Sequence, residues 1–120
     1  MKKFLIVMIM ALISSSAFAD NKVKIGIIGA EVDSLKQTAK ISNKIIIADM
    51  EFNEGMLDNV DVVIVKCGMG KVNAAICTQI LISKFGVTHV INTGVAGSLN
   101  NKLNIGDIVV ASDTDRKSVV

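Results

Sequence analysis

The chain has 120 residues, which is enough for one small domain and hardly for two. Its apolar share is 51%, its aromatic share is only 3%, and it contains no Pro, Tyr or Trp. The net charge of +2 includes Lys2 and Lys3, so the rest of the chain is close to neutral. This charge balance indicates neither a nucleic-acid-binding nor a membrane-surface protein.

The N-terminus has the order of a secretory signal peptide. A basic start is followed by an apolar run over residues 4–13 and by a small-residue stretch that ends Ala17-Phe18-Ala19. An apolar run of about ten residues is too short to cross a bilayer core of roughly 30 Å as a helix, which argues against an uncleaved anchor. We therefore expect residues 1–19 to be removed and the mature chain, from Asp20, to be exported to the periplasm or beyond, with no membrane association after cleavage.

The first strand and helix are predicted directly after this leader. Residues 23–28, VKIGII, form a β-branched run typical of a strand that is buried on both faces, and Gly29-Ala30 follow it. Residues 31–40 then place three apolar side chains at helical spacing, which predicts a short amphipathic helix.

The middle of the chain predicts a hairpin and a second buried strand. Residues 44–48 and 50–56 form the two arms of the hairpin. Its turn is placed at either Asn53-Glu54-Gly55 or Leu57-Asp58-Asn59. Residues 61–65 form the next buried strand.

The second half predicts one long helix between strands. Residues 71–85 carry apolar side chains in helical register, and Gly86 stands where a C-cap glycine would. Residues 87–91 form a third apolar strand, and residues 108–111 form a further strand after a loop.

Alternating strands and helices predict an α/β protein whose largely parallel or mixed central sheet is flanked by helices. Ligands of such sheets bind beyond the carboxyl ends of the strands. Three predicted strand ends carry small, flexible residues: Gly29-Ala30, Gly68-Met69-Gly70 and residues 94–97. We expect a binding site where these three loops converge.

None of these loops matches a known nucleotide-binding sequence motif. CGMGKVNAA lacks the P-loop spacing and has Val72 where the magnesium-binding hydroxyl should stand, and GAEV lacks G-x-G-x-x-G. The glycines can serve as tight turns, or they can bring backbone close to a ligand on which Met69 packs. Residues 94–97 likewise serve close packing or leave room for a flat ligand.

Glu31 is the one titratable residue that adjoins both a strand end and a predicted helix start. Helix-dipole stabilisation of about 0.3–1 kcal/mol explains a carboxylate there without any chemistry. The other acidic residues are expected to be solvated, and His89, within an apolar strand, is expected to be a core histidine. Cys67 and Cys77 lack the spacing of a zinc site or a redox pair and are expected to be free thiols.

Five blocks stand in order over residues 23–113: KIGIIGA, EVDSLK, KCGMGKVNAA, INTGVAGSL and IGDIVVASD. Taken together they resemble the 5′-methylthioadenosine/S-adenosylhomocysteine nucleosidases of the nucleoside phosphorylase superfamily. The resemblance implies a nucleoside phosphorylase-like fold and, at full length, a homodimer that hydrolyses the N-glycosidic bond of these thioadenosine substrates and releases adenine for methionine salvage. It implies no cofactor and no metal.

The resemblance also assigns roles to residues. In glycoside hydrolysis a carboxylate activates the attacking water and an acid protonates the leaving group. The water-activating carboxylate carries over onto Glu31, with Asp33 as the alternative. The substrate-binding positions carry over onto Ala30, Met69, Val95, Ala96 and Gly97.

The chain departs from the family pattern at this candidate base. The family has three more residues between the alanine matching Ala30 and the catalytic Glu, and their absence would draw Glu31 back by roughly 4.5 Å of helical rise. If the loop length is kept instead, Ser34 falls at the base position and Asp33 is its acidic neighbour.

The second departure concerns the C-terminal half of the family. Its adenine-protonating Asp, its ribose-binding Glu and its base-stacking aromatic residue all follow the part that the five blocks cover. We therefore expect residues 20–114 to be the N-terminal half of a nucleosidase-like α/β domain, inactive as it stands, and residues 115–120, DRKSVV, to be a non-native tail.

Two other functions stay open. A phosphate-dependent purine nucleoside phosphorylase of the same fold would need basic phosphate ligands, and no Arg precedes Arg116. A noncatalytic exported nucleoside-binding or adhesion protein would result if the shortened loop before Glu31 had lost the active carboxylate. Phosphate dependence of turnover separates the first from hydrolysis, and an adenine-release assay tests the second.

Overall fold

The computed structural model describes residues 22–114, and the predicted signal peptide and tail lie outside the described residues. In this part, strands and helices follow in the order β1 (Lys24–Gly29), α1 (Asp33–Thr38), β2 (Lys40–Ile47), β3 (Met50–Leu57), β4 (Val60–Lys66), α2 (Lys71–Phe85) and β5 (His89–Thr93). Neither of these two helices is long and apolar enough to span a membrane.

The strands form one mixed sheet in the order β2-β3-β4-β1-β5. The central strand β1 pairs in parallel with β4 on one side and with β5 on the other. Strands β2, β3 and β4 form an antiparallel meander because two-residue turns join them, whereas the crossover from β4 to β5 passes through α2. The predicted α/β class with a mixed sheet flanked by helices is confirmed.

The larger core lies between the sheet and α2. Cys77, Leu81 and Phe85 recur at intervals of four residues, form the buried stripe of α2 and pack on strand residues such as Phe52 and Val65. The rings of Phe52 and Phe85 stack with their centroids 5.0 Å apart. The predicted limits of this helix are confirmed, and Gly86 has the left-handed conformation (φ 63°) expected of a C-cap.

The smaller core lies on the opposite face of the sheet, under α1. Val32 is completely buried and packs with Ile27 and Ile64, while Leu35 is partly buried against the same cluster. Helix α1 has only six residues, none of them fully buried, and begins at Asp33 instead of the expected residue 31. A helix this short is marginal by itself, so docking on the sheet must hold it.

The turns correct the predicted hairpin. Ala48-Asp49 joins β2 to β3, whereas Asp58 and Asn59, part of one predicted turn, join β3 to β4. The other turn candidate, residues 53–55, lies inside β3. The Ala48-Asp49 turn escaped prediction because Ala48 has a positive φ of 51°, which a residue with a Cβ seldom adopts.

The predicted strand at residues 108–111 is wrong. No residue from 94 to 114 lies in a strand or helix, and all of them are exposed, including Val110 at 86%. A β-branched run forms a strand only where a neighbouring strand satisfies its backbone groups, and none of the described strands lies beside this one.

Strand β5 is an edge strand and begins later than predicted, at residue 89 instead of 87. His89 is exposed, and its Nδ1 lies 2.9 Å from the Thr88 hydroxyl. The expectation of a core histidine is therefore wrong for the described residues, because β5 is paired on one side only and α2 covers little of it.

Candidate active site

The carboxyl ends of the three parallel strands lie side by side at one edge of the sheet. Gly29 at the end of β1 is opposite Lys66 of β4 and Thr93 of β5. The backbone N–H of Cys67 donates to the Gly29 carbonyl at 3.2 Å. The loops that follow these strands therefore start together, as their small residues predicted.

Gly29 allows this close approach. A Cβ at this position would overlap the carbonyl oxygen of Thr93 and would lie 3.3 Å from Cγ1 of Val32. Strand pairing holds the Thr93 carbonyl, and complete burial holds the Val32 side chain. Neither can move aside without a cost in stability. The chain that leaves β1 is thus held close to β5.

Glu31 follows this glycine by two residues and lies between β1 and α1. Its side chain is exposed, and its carboxylate makes no hydrogen bond or ion pair with the described residues. Val32 is the residue that caps α1, and no side chain donates to or accepts from the helix end. Glu31 is therefore not a hydrogen-bonding cap, and its carboxylate stands open at the edge of the sheet.

Asp33, the alternative base, is already engaged. Its Oδ2 lies 3.4 Å from the Lys66 ammonium and its Oδ1 lies 3.8 Å from that of Lys36. Sequence reasoning missed Lys66, because an ion pair between residues so far apart depends on the pairing of β1 with β4. Of the two candidate bases, Glu31 is the one whose oxygens are not held by lysines.

The glycine loop after β4 has a defined backbone. Gly68 and Gly70 have positive φ angles of 77° and 91°, and the Asn73 side-chain amide donates to the Met69 carbonyl at 2.7 Å. The Met69 side chain is 86% exposed. Met69 is thus presented at the same edge of the sheet as Glu31, where an apolar ligand group could pack on it.

The other candidate binding residues differ in their surroundings. Ala30 is half-buried beside Glu31, whereas Val95, Ala96 and Gly97 are exposed. These three line a cavity of about 840 Å³ together with other residues between 94 and 109, and neither Glu31 nor Met69 is among its lining residues. In the described part of the chain the strand ends therefore converge, but the candidate residues do not enclose one pocket.

The two cysteines are free and buried, as predicted. Burial, with a smaller contribution from the nearby Cys67, raises the pKa of the Cys77 thiol to about 12. Cys77 is therefore a neutral, apolar core side chain at ordinary pH. Within residues 22–114, no cluster of three His, Cys, Asp or Glu side chains could hold a metal ion.

Known proteins are similar to this chain in sequence and in structure. Residues 24–119 match the model of the phosphorylase superfamily. The 5′-methylthioadenosine/S-adenosylhomocysteine nucleosidase of Shewanella denitrificans is 48% identical over 99 residues, which cover 80% of this chain and 43% of that protein. The chain thus spans less than half the length of this relative.

Solved structures agree. The crystal structure of such a nucleosidase from Colwellia psychrerythraea 34H, in complex with adenine, has a TM-score of 0.68 at 43% identity and covers 72% of this chain and 37% of its own. The futalosine hydrolase of Helicobacter pylori has a TM-score of 0.65 at 31% identity, over 71% of this chain and 38% of its own. These matches confirm the resemblance carried by the five sequence blocks. The chain belongs to the phosphorylase superfamily.

Proposed function

We propose that the complete protein hydrolyses the N-glycosidic bond of 5′-methylthioadenosine and S-adenosylhomocysteine and releases adenine. The observation that carries this proposal is the open carboxylate of Glu31 at the shared carboxyl edge of β1, β4 and β5. The identity of 48% to a nucleosidase of this substrate class supports it.

In the proposed reaction Glu31 acts as the general base. Its carboxylate takes a proton from water while the water oxygen forms a bond to C1′ of the ribose. The electrons of the C1′–N bond leave with adenine, which takes up a proton from an acid outside the described residues. Ala30, Met69 and residues 95–97 would line the ribose, alkylthio group and base.

The wider setting is proposed on the same basis. We propose that residues 1–19 direct export to the periplasm, that residues 20–114 form the N-terminal part of the catalytic domain, and that the complete protein is a homodimer active in methionine salvage. The partial coverage of the nucleosidases supports the second point.

Adenine release by the purified complete protein tests this function. We expect turnover of both thionucleosides without phosphate. Because a general base contributes roughly 10²–10⁴-fold, Glu31→Gln should lower kcat by about that factor. Asp58→Asn removes one carboxylate from an exposed turn where Asn tolerates the positive φ, and it should leave kcat unchanged.

Each alternative has its own outcome in this assay. Equal activity of Glu31→Gln and wild type would show that Glu31 is not the base. Strict dependence on phosphate would identify a phosphorylase, and turnover of futalosine alone would place the protein with the H. pylori hydrolase. Absence of any release would favour a noncatalytic binding protein. The 120-residue chain alone should release no adenine.

A further inference from the structure

A chain of ion pairs connects α1 to two strands of the sheet. Lys66 at the end of β4 pairs with Asp33 in the first turn of α1, at 3.4 Å. Lys36, one turn later, lies 3.8 Å from Asp33 and 3.5 Å from Glu51 on β3. The α1 ion-pair chain, defined as Lys66–Asp33–Lys36–Glu51, therefore ties this short helix to both β4 and β3.

Glu51, the last residue of the α1 ion-pair chain, stays charged. The neighbouring Asn53 amide, which donates to the Glu51 main-chain carbonyl at 3.3 Å, lowers the pKa of the Glu51 carboxyl, and the charges of Lys44 and Lys36 lower it further. Lys44 on β2 lies 4.0 Å from the same carboxylate. Glu51 is thus a stable anion on the sheet to which Lys36 can attach.

Apart from the buried Val32 that precedes it, helix α1 has few contacts to hold its first turn. It has six residues, no side-chain cap and no fully buried residue of its own, and its apolar contact comes from Val32 and Leu35. Lys66, by contrast, precedes Cys67, whose N–H is bonded to the Gly29 carbonyl. The Asp33–Lys66 pair therefore adds a second tie, beside the buried Val32, between the start of α1 and the strand ends.

We propose that Asp33 is a positioning residue: paired with Lys66, it fixes the first turn of α1 against the end of β4 and thereby holds Glu31, two residues earlier, in place for its reaction. This inference rests on the proposed function of Glu31. It gives the two candidate carboxylates different roles, since Asp33 acts through Glu31 and does not touch the reacting atoms.

The exposure of the pair sets the size of the effect. The side chains of Lys66 and Asp33 are 49% and 59% exposed. Solvent-exposed ion pairs contribute little free energy to holding two elements together. Losing this one should therefore lower kcat by about two- to fivefold. Loss of a general base would lower kcat by roughly 10²-fold or more, so the magnitude alone separates the two roles.

The test compares Asp33→Asn, Lys66→Met and their combination in the complete protein, with Asp33→Glu as the conservative variant. The control is Asp61→Asn, because Asp61 pairs with Lys22 at 2.9 Å near the amino ends of β1 and β4, away from the site. The readouts are kcat, KM, the acid limb of the kcat–pH profile, and amide hydrogen exchange over residues 30–38.

We expect each single variant to lower kcat about two- to fivefold at unchanged KM, the double variant to lower it no further, and Asp33→Glu to restore it. The acid limb should persist, and exchange over residues 30–38 should accelerate only in the Asp33→Asn and Lys66→Met variants and their combination. A loss above about 100-fold with loss of the acid limb would make Asp33 the base instead.

Effects no larger than those of Asp61→Asn would overturn the inference. If the wild-type protein releases no adenine, the proposed function fails. Hydrogen exchange then still decides the anchoring, because unchanged exchange over residues 30–38 in both single variants would show that the pair does not hold α1.

Discussion

Two regions of the described chain differ in what fixes their position. Residues 24–93 form a sheet with a core on each face, whereas residues 94–114 contain no strand or helix and are exposed throughout. The same residue type illustrates the difference, since Leu81 is completely buried and Leu99 is fully exposed. The packed core therefore positions one wall of the candidate site, at the ends of β1 and β4. The other wall, residues 95–97, does not pack against this core in the described part of the chain.

The largest effect should come from truncating a leucine in each region. Leu81 packs so closely over the sheet that a Cβ on Gly26 would lie 2.9 Å from its Cδ1. Leu81→Ala should therefore lower the free energy of unfolding by about 2–5 kcal/mol. Leu99→Ala should change it by less than about 0.5 kcal/mol, because Leu99 is fully exposed in the described part of the chain. Urea denaturation of the complete protein measures both values.

This pair of variants can also break the comparison. A loss of about 2 kcal/mol or more in Leu99→Ala would mean that Leu99 is covered in the complete protein and that both regions share one core. Ile82→Ala serves as the control on α2, since Ile82 is 52% exposed on the same helix as Leu81 and should cost far less than Leu81→Ala.

A pair of glycines probes the two walls of the site. Gly29→Ala forces a methyl group against the Thr93 carbonyl and should cost about 1–3 kcal/mol of stability by pushing β1 and β5 apart. Gly97 has no atom within 4 Å of a built Cβ, so Gly97→Ala should leave stability unchanged. If residues 95–97 contact the substrate, Gly97→Ala should instead raise KM.

Thermal unfolding and steady-state kinetics on the same preparations separate these effects. Equal stability of Gly29→Ala and wild type would contradict the close approach of β1 to β5. An unchanged KM in Gly97→Ala would remove this residue from the binding wall while leaving the packed wall unaffected.

The elements with a strong local signal were predictable from sequence. The buried runs at residues 23–28 and 61–65 became β1 and β4 with a shift of one residue at each end, and α2 has its predicted limits. Gly86 explains the sharp end of α2. A residue in the left-handed conformation ends a helix, and glycine adopts this conformation without the steric strain that a Cβ would cause. Convergence of the three glycine-rich loops followed from the parallel order of the strands.

Features that depend on partners distant in sequence were not predictable. Residues 108–111 have strand-forming side chains but no neighbouring strand in the described part, and His89 lies on an edge strand where burial was expected. The Asp33–Lys66 pair requires the end of β4 to lie beside the start of α1, which no local pattern encodes. For this reason Asp33 could not be separated from Glu31 as a candidate base before the fold was known.

The smallest effect on stability is expected at the turns of the packed region, where a positive φ suits Ala poorly. The turns Ala48-Asp49 and Asp58-Asn59 both join adjacent antiparallel strands through two residues with positive φ, at 51° and 63° in the first and 47° and 63° in the second. Asn and Asp tolerate this conformation, whereas Ala pays a steric penalty there. Ala48→Asn should therefore raise stability by about 0.5–1 kcal/mol, and Asp58→Ala should lower it by a similar amount. Both changes are measured as shifts in Tm at constant activity. A loss of stability in Ala48→Asn would mean that contacts of the exposed Ala48 methyl group, and not the turn conformation, determine the energy of this hairpin.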